Sequence, residues 1–175
     1  MKKAIYILFV FAFLIGCASN AKSPAPSPEA PDYAPDFSLV DVSGNVVRLS
    51  DFKGQKNVVL IVYARHDWSH CIKQLGELQS RISEIESLDA QVIAISSKGD
   101  QSDVESTKRF LNITYILIPL PNRKVVESFG VKYGSSNAAF ATIIVDKKGR
   151  IRFKSLDEYN NRTSASRIIR ELQGI

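Results

Sequence analysis

Val58-Val59-Leu60-Ile61-Val62-Tyr63 is an unbroken apolar, mostly β-branched run, the composition of a strand covered on both faces. After it, Ile72, Leu75, Leu78, Ile82 and Ile85 recur at helical spacing, which predicts an amphipathic helix starting near Cys71. Gln91-Val92-Ile93-Ala94-Ile95 then supplies a second buried strand. Strand, helix and strand in that order predict a parallel pair joined by a right-handed crossover.

The chain beyond this unit keeps alternating. Ser102 to Leu111 reads as a helix and Thr114 to Ile118 as a strand, stopped by Pro119 and Pro121. A short helix from Asn122 to Phe129 ends at Gly130. Ala141 to Val145 and Arg150 to Phe153 flank Asp146-Lys147-Lys148-Gly149 as an antiparallel hairpin, and Ile168, Ile169 and Leu172 mark a last helix. Upstream, Phe37 to Val42 and Val46 to Leu49 alternate around Ser43-Gly44-Asn45, a further hairpin. The whole predicts an α/β domain with a central mixed sheet flanked by helices and an N-terminal β-hairpin.

The first residues carry a different signal. Lys2 and Lys3 precede an apolar run from Ala4 to Ile15, which is shorter than the roughly 20 residues of a membrane-spanning helix and reads as an export signal. Leu14-Ile15-Gly16-Cys17 resembles the lipobox of bacterial lipoproteins, which implies diacylglycerol on the Cys17 thiol. The expected organisation is a signal peptide over 1–17, a Pro/Ala/Ser-rich tether over 18–34 and one domain over 35–175. The membrane partner is then reached through lipidated Cys17 in the cell envelope. In a cell with two membranes, Ala18 lacks the aspartate of inner-membrane retention, which favours the outer membrane facing the periplasm.

Charge excludes some partners. The 23 basic residues include Lys2 and Lys3, so the mature chain keeps 21 against 18 acidic ones. They are scattered without interleaved aromatics, and no nucleic-acid partner is expected. Asn112-Ile113-Thr114 and Asn161-Arg162-Thr163 match the glycosylation sequon and read as chance in a bacterial chain.

Of the two cysteines, Cys17 is committed to lipid, so Cys71 stands alone. It follows a buried strand and sits where a helix starts, a position that favours a thiolate and lowers its pKa. His70 and Arg65 are close enough in sequence to add positive charge. The competing expectation is an inert cysteine packed in the core. His66 and His70 flank Cys71, but the usual pair spacings of a metal site are missing, so neither a metal nor a cofactor is expected. Trp68 reads as a lid on the thiol, a partner contact, or loop packing.

Ala34-Pro35-Asp36-Phe37-Ser38-Leu39, Leu49-Ser50-Asp51-Phe52-Lys53-Gly54, the Val58 strand, Cys71-Ile72-Lys73-Gln74-Leu75, Ser128-Phe129-Gly130-Val131 and Ile143 to Ile151 together resemble the thioredoxin-like redoxins. The nearest group is the alkyl hydroperoxide reductase and thiol-specific antioxidant proteins, or peroxiredoxins. The resemblance implies a thioredoxin-like fold and places Cys71 on the peroxidatic cysteine. It also marks departures: Ala64 stands for the family's proline, Trp68 for its Thr or Ser, and Phe140 for its active-site arginine or cis-proline. Arg65 and Arg123 are the candidate substitutes. Trp68 at the first position also removes a CxxC dithiol. The implied activity is a one-cysteine peroxidase or thiol-disulfide exchange through Cys71, with an external thiol reductant or a client protein thiol as partner and a hydroperoxide as substrate. The alternative is a non-catalytic thioredoxin-fold lipoprotein, serving as a binding or assembly module.

Overall fold

The computed structural model describes residues 32–65, 67–119 and 123–175. The signal peptide, Cys17, most of the tether, His66 and the start of the helix expected at Asn122 lie outside the described residues. Among those described, no helix is long and apolar enough to cross a membrane.

The hairpin comes first. Strands β1 (Ser38–Val40) and β2 (Val46–Arg48) pair antiparallel with Leu39 opposite Val47. Asp41 closes the turn by accepting from the Ser43 and Asn45 N–H groups, both at 2.8 Å, and Gly44 takes the left-handed φ of +88° that a side chain resists. A 3-10 turn, Leu49–Phe52, leads into the main sheet.

That sheet has five strands in the order β5-β4-β3-β6-β7. Strand β3 (Asn57–Tyr63) lies parallel to β4 (Ala90–Ser96), and β4 lies parallel to β5 (Ile116–Ile118). On the other side β6 (Ala141–Val145) runs antiparallel to β3, and β7 (Ile151–Ser155) antiparallel to β6 with an irregular register at Ile144/Val145. The mixed sheet is thus parallel on one side of β3 and antiparallel on the other.

The continuous apolar run of β3 has a direct cause in the two-residue period of a strand. Val59, Ile61 and Tyr63 enter one core cluster while Val58, Leu60 and Val62 enter the other. On the first face pack helices α1 (Ser69–Ser80), α2 (Ile82–Ser87) and α5 (Ala165–Gln173), together with Val104 of α3 (Gln101–Phe110). On the second pack the hairpin and α4 (Arg123–Ser128). Each fully buried Val, Leu or Ile stabilises the domain by about 1.5–3 kcal/mol, so β3 is the chief structural support of the site at its C-terminal end.

One element departs from expectation. The helix predicted to run from near Cys71 to Ile85 is two helices, broken at Arg81, whose N–H bonds back three residues to the Leu78 carbonyl at 3.2 Å. The break keeps Leu75, Leu78, Ile82 and Ile85 in one cluster. Periodicity is preserved across a junction that it does not reveal.

Candidate active site

Cys71 is the third residue of α1, just beyond the end of β3. Its N–H bonds to the Trp68 carbonyl at 2.8 Å, and Trp68 occupies the helix N-cap without a side-chain acceptor. The thiol points into the core: Cys71 is 0% exposed, beside Tyr63, Ala64 and Leu75.

Arg162, from the loop between β7 and α5, closes on the sulfur. Its Nη2 donates to Cys71 Sγ at 3.7 Å, and its guanidinium lies 3.5 Å from the Phe140 ring centroid. Phe140 stands where the resemblance leads one to expect an arginine, and here it supplies the flat surface on which an arginine from elsewhere is laid. The loop is held in turn by Asp157, which accepts from Thr142 Oγ1 (2.9 Å), Ser155 Oγ (2.7 Å) and Thr163 Oγ1 (2.8 Å). Gln74, one turn along α1, adds a bond from Nε2 to the Thr163 carbonyl at 3.1 Å.

The sequence-based expectation of a lowered thiol pKa is corrected here. Burial, the largest influence, pushes the Cys71 thiol above its ordinary value; the N–H groups of Ala64 and Arg65 and the charge and hydrogen bond of Arg162 pull it down without reversing the shift. Desolvation of a thiolate outweighs the donors around it. The same burial pulls the Arg162 guanidinium below its ordinary value, against the opposing effects of Cys71, Asp157 and Tyr159.

The other expected site residues are distributed around this pair. Arg65 gives the thiol its backbone N–H, while its guanidinium is turned to Asp67 (3.3 Å) and Asp103 (3.6 Å). Trp68 packs on Phe140 and Tyr159, with ring centroids 5.8 and 5.2 Å apart, and Lys98 Nζ lies 5.3 Å from its ring. These contacts pack the Trp68 ring against Phe140, which also carries the Arg162 guanidinium. His70 sets its ring edge-to-face on Tyr159 at 5.0 Å. Arg123, the other candidate substitute, bonds Asn137 Oδ1 at 2.6 Å and stacks on Tyr133. Arg162 is the residue that sequence reasoning missed, since within Asn161-Arg162-Thr163 it shows only as part of a sequon. Among the described residues, no group of His, Cys, Asp and Glu is arranged to hold a metal ion.

Among the described residues Cys71 is the one cysteine, in the first turn of the helix that follows the central strand of a thioredoxin-like sheet. Residues 31–154 match the AhpC/TSA family, and the chain belongs to it. It is 34% identical over 104 residues to peroxiredoxin Bcp of Escherichia coli, spanning 59% of this chain and 65% of that one. It is 28% identical over 129 residues to alkyl hydroperoxide reductase E of Mycobacterium tuberculosis, spanning 71% and 83%. Among solved structures, peroxidoxin BcpB of Mycobacterium tuberculosis superposes with a TM-score of 0.73 at 21% identity, over 83% of this chain and 96% of that one. A thioredoxin-family thiol:disulfide interchange protein of Chlorobium tepidum reaches 0.69 at 17% identity, over 85% and 98%. At these identities the two structures speak for the fold alone.

Proposed function

We propose that this protein is an envelope-anchored, one-cysteine thiol peroxidase, with Cys71 as the oxidisable thiol. The observation that carries the reading is the contact of Arg162 with Cys71 Sγ, which supplies a guanidinium at the sulfur although Phe140 fills the family's position for one. In the reaction the Cys71 sulfur attacks one oxygen of a hydroperoxide. The S–O bond forms as the O–O bond breaks, the alcohol or water leaves with the proton, and Cys71 becomes a sulfenic acid. Arg162 favours the thiolate and faces the charge that develops on oxygen. With Cys17 taken by lipid, the return to thiol needs an external thiol, first as a mixed disulfide and then by exchange.

The test is the rate of Cys71 oxidation by hydrogen peroxide in the full-length protein, with Cys71→Ser as control. A rate above that of free cysteine supports the peroxidase; a rate no greater removes it. Anchoring through Cys17, with the tether over 18–34 holding the domain off the membrane, is tested by lipid labelling. The label is expected to vanish in Cys17→Ala, and its retention would refute the lipobox.

A second reading, a non-catalytic binding or assembly module, is favoured by the complete burial of the thiol and its raised pKa. Oxidation no faster than that of free cysteine decides for it.

A further inference from the structure

We propose that the pole of the domain opposite Cys71 is a membrane-docking face, with a cleft that seats an anionic phospholipid. The inference rests on the envelope-anchored reading above and says which side of the domain meets the lipid. The cleft, of about 320 Å³, is floored by Leu49, Phe52, Val58 and Val145 and rimmed by Lys53 and Lys56. Strand β3 leaves it at Val58 and ends at Tyr63, so roughly 17 Å of strand lies between the cleft and the end from which Cys71 follows.

Where the chain enters the fold is the first argument. The Asp32 carbonyl accepts from the Ile151 N–H at 2.8 Å, and the Ala34 N–H donates to the Gly149 carbonyl at 2.9 Å. Tyr33, Ala34 and Gly149 all line the cleft. A chain anchored through Cys17 therefore brings this pole to the bilayer first. The tether lets the domain lift away, and this face is the one that settles back.

Charge is the second. The side chains of Lys53, Lys56 and Lys148 are exposed and have no hydrogen-bond or carboxylate partner among the described residues. Their two segments are tied together where the Gly54 N–H donates to the Lys147 carbonyl at 2.8 Å. The acids nearby are committed. Asp36 accepts from the Phe37 and Ser50 N–H groups, both at 2.9 Å, Asp51 faces Arg48 at 4.0 Å, Asp89 faces Lys147 at 3.0 Å and Asp146 holds Arg150 at 2.7 Å. Three uncommitted lysines thus stand against Asp32, the exposed acid at the chain's entry, and clustered lysines are drawn to an anionic lipid surface.

The apolar floor separates a lipid from a free anion. Leu49, Val58 and Val145 are buried and Phe52 is half-buried, so an occupant lies against hydrocarbon with its charge at the lysines of the rim. A phospholipid has its parts in that order, methylenes and then phosphate. The volume is at the lower end of ligand sites, which run to roughly 300–1,000 Å³, and holds a headgroup with its first methylenes. Tyr33, 61% exposed at the mouth, is a ring of the kind that settles at the bilayer–water boundary.

Docking through this pole turns Cys71 and Arg162 away from the lipid, so the site meets hydroperoxides of the water phase and not those within the bilayer. Trp68 is the single tryptophan of the chain. It packs on Phe140, which carries Arg162, and so reports how far the site lies from the membrane. Lys98, 5.3 Å from the Trp68 ring, marks the same end.

The experiment inserts full-length protein into preformed vesicles of phosphatidylcholine, with or without phosphatidylglycerol. Lysines are acetylated by a water-soluble reagent, and their peptides are compared by mass spectrometry with those of the detergent-solubilised protein. At low salt, Lys53, Lys56 and Lys148 are expected to react about tenfold more slowly on phosphatidylglycerol vesicles, the scale of a few lysines at about fivefold each, while Lys98 is unchanged. High salt is expected to abolish the protection, as is Lys53→Glu combined with Lys56→Glu, read at Lys148. Brominated lipid should leave Trp68 fluorescence unquenched. Equal protection on neutral vesicles, protection indifferent to salt or to the double variant, protection of Lys98, or quenching of Trp68 overturns the inference. If the protein floats with the vesicles while Lys53 and Lys56 stay reactive, the docking face falls and the anchored reading stands. If it does not float with them at all, both fall.

Discussion

Arg162 and Cys71 are 91 positions apart in the chain and meet at 3.7 Å. The guanidinium is one of the influences that pull the thiol pKa down against burial, so Arg162→Met is expected to raise that pKa further. Oxidation by peroxide at neutral pH should then slow by about 100-fold, the scale of losing one donor to a developing oxyanion, with partial rescue in Arg162→Lys. Alkylation of Cys71 followed against pH checks the shift: its inflection should move to higher pH in Arg162→Met, and an unmoved inflection would deny the contact a functional role. Cys71 was legible in the sequence because the end of a strand and the start of a helix are local features. Arg162 was not, because the docking of its loop depends on Thr142, Ser155 and Thr163 converging on Asp157. The direction of the thiol pKa was misread for a related reason. Helix dipole and neighbouring charges can be read along the chain, whereas desolvation is set by what folds over the sulfur.

At the scale of elements, the sheet and its helices follow from hydrophobic periods, and strands β3, β4 and β6 lie where those periods put them. Periodicity reports which face is buried, and for that reason it passed over the break at Arg81, where both helices bury the same face. Helix α3 carries a testable local signal. Its N-cap Asp100 accepts from the Asp103 N–H at 2.9 Å, and the Asp103 side chain answers by accepting from the Asp100 N–H at 3.3 Å, a capping box. Asp100→Ala is expected to destabilise the domain by about 1 kcal/mol. Amide exchange should accelerate first in the opening turn of α3, and unchanged protection there would show that tertiary packing alone fixes the helix start.

At the scale of the molecule, three groups buried on one face of the sheet share a pH signature. Burial raises the Cys71 thiol and the Tyr63 and Tyr115 phenols above their ordinary values. In the unfolded chain these groups lose protons from about pH 8.5 for the thiol and about pH 10 for the phenols, while the folded chain holds them to higher pH. The stabilisation is therefore fully present below the unfolded values and is lost as pH rises through the folded ones. Thermal unfolding should show a falling Tm above about pH 8.5, and Cys71→Ser should flatten the first part of that fall; a Tm flat into the alkaline range would contradict it. The distance along the chain between sulfur and guanidinium also has a consequence in time. A chain made from its N-terminus presents Cys71 long before Arg162, and contacts so far apart in sequence form late in folding. Until the last quarter of the polypeptide has arrived and its loop has docked, the newborn thiol is bare. If it is exported unfolded into an oxidising compartment, it can be captured there as a disulfide before its own fold shelters it.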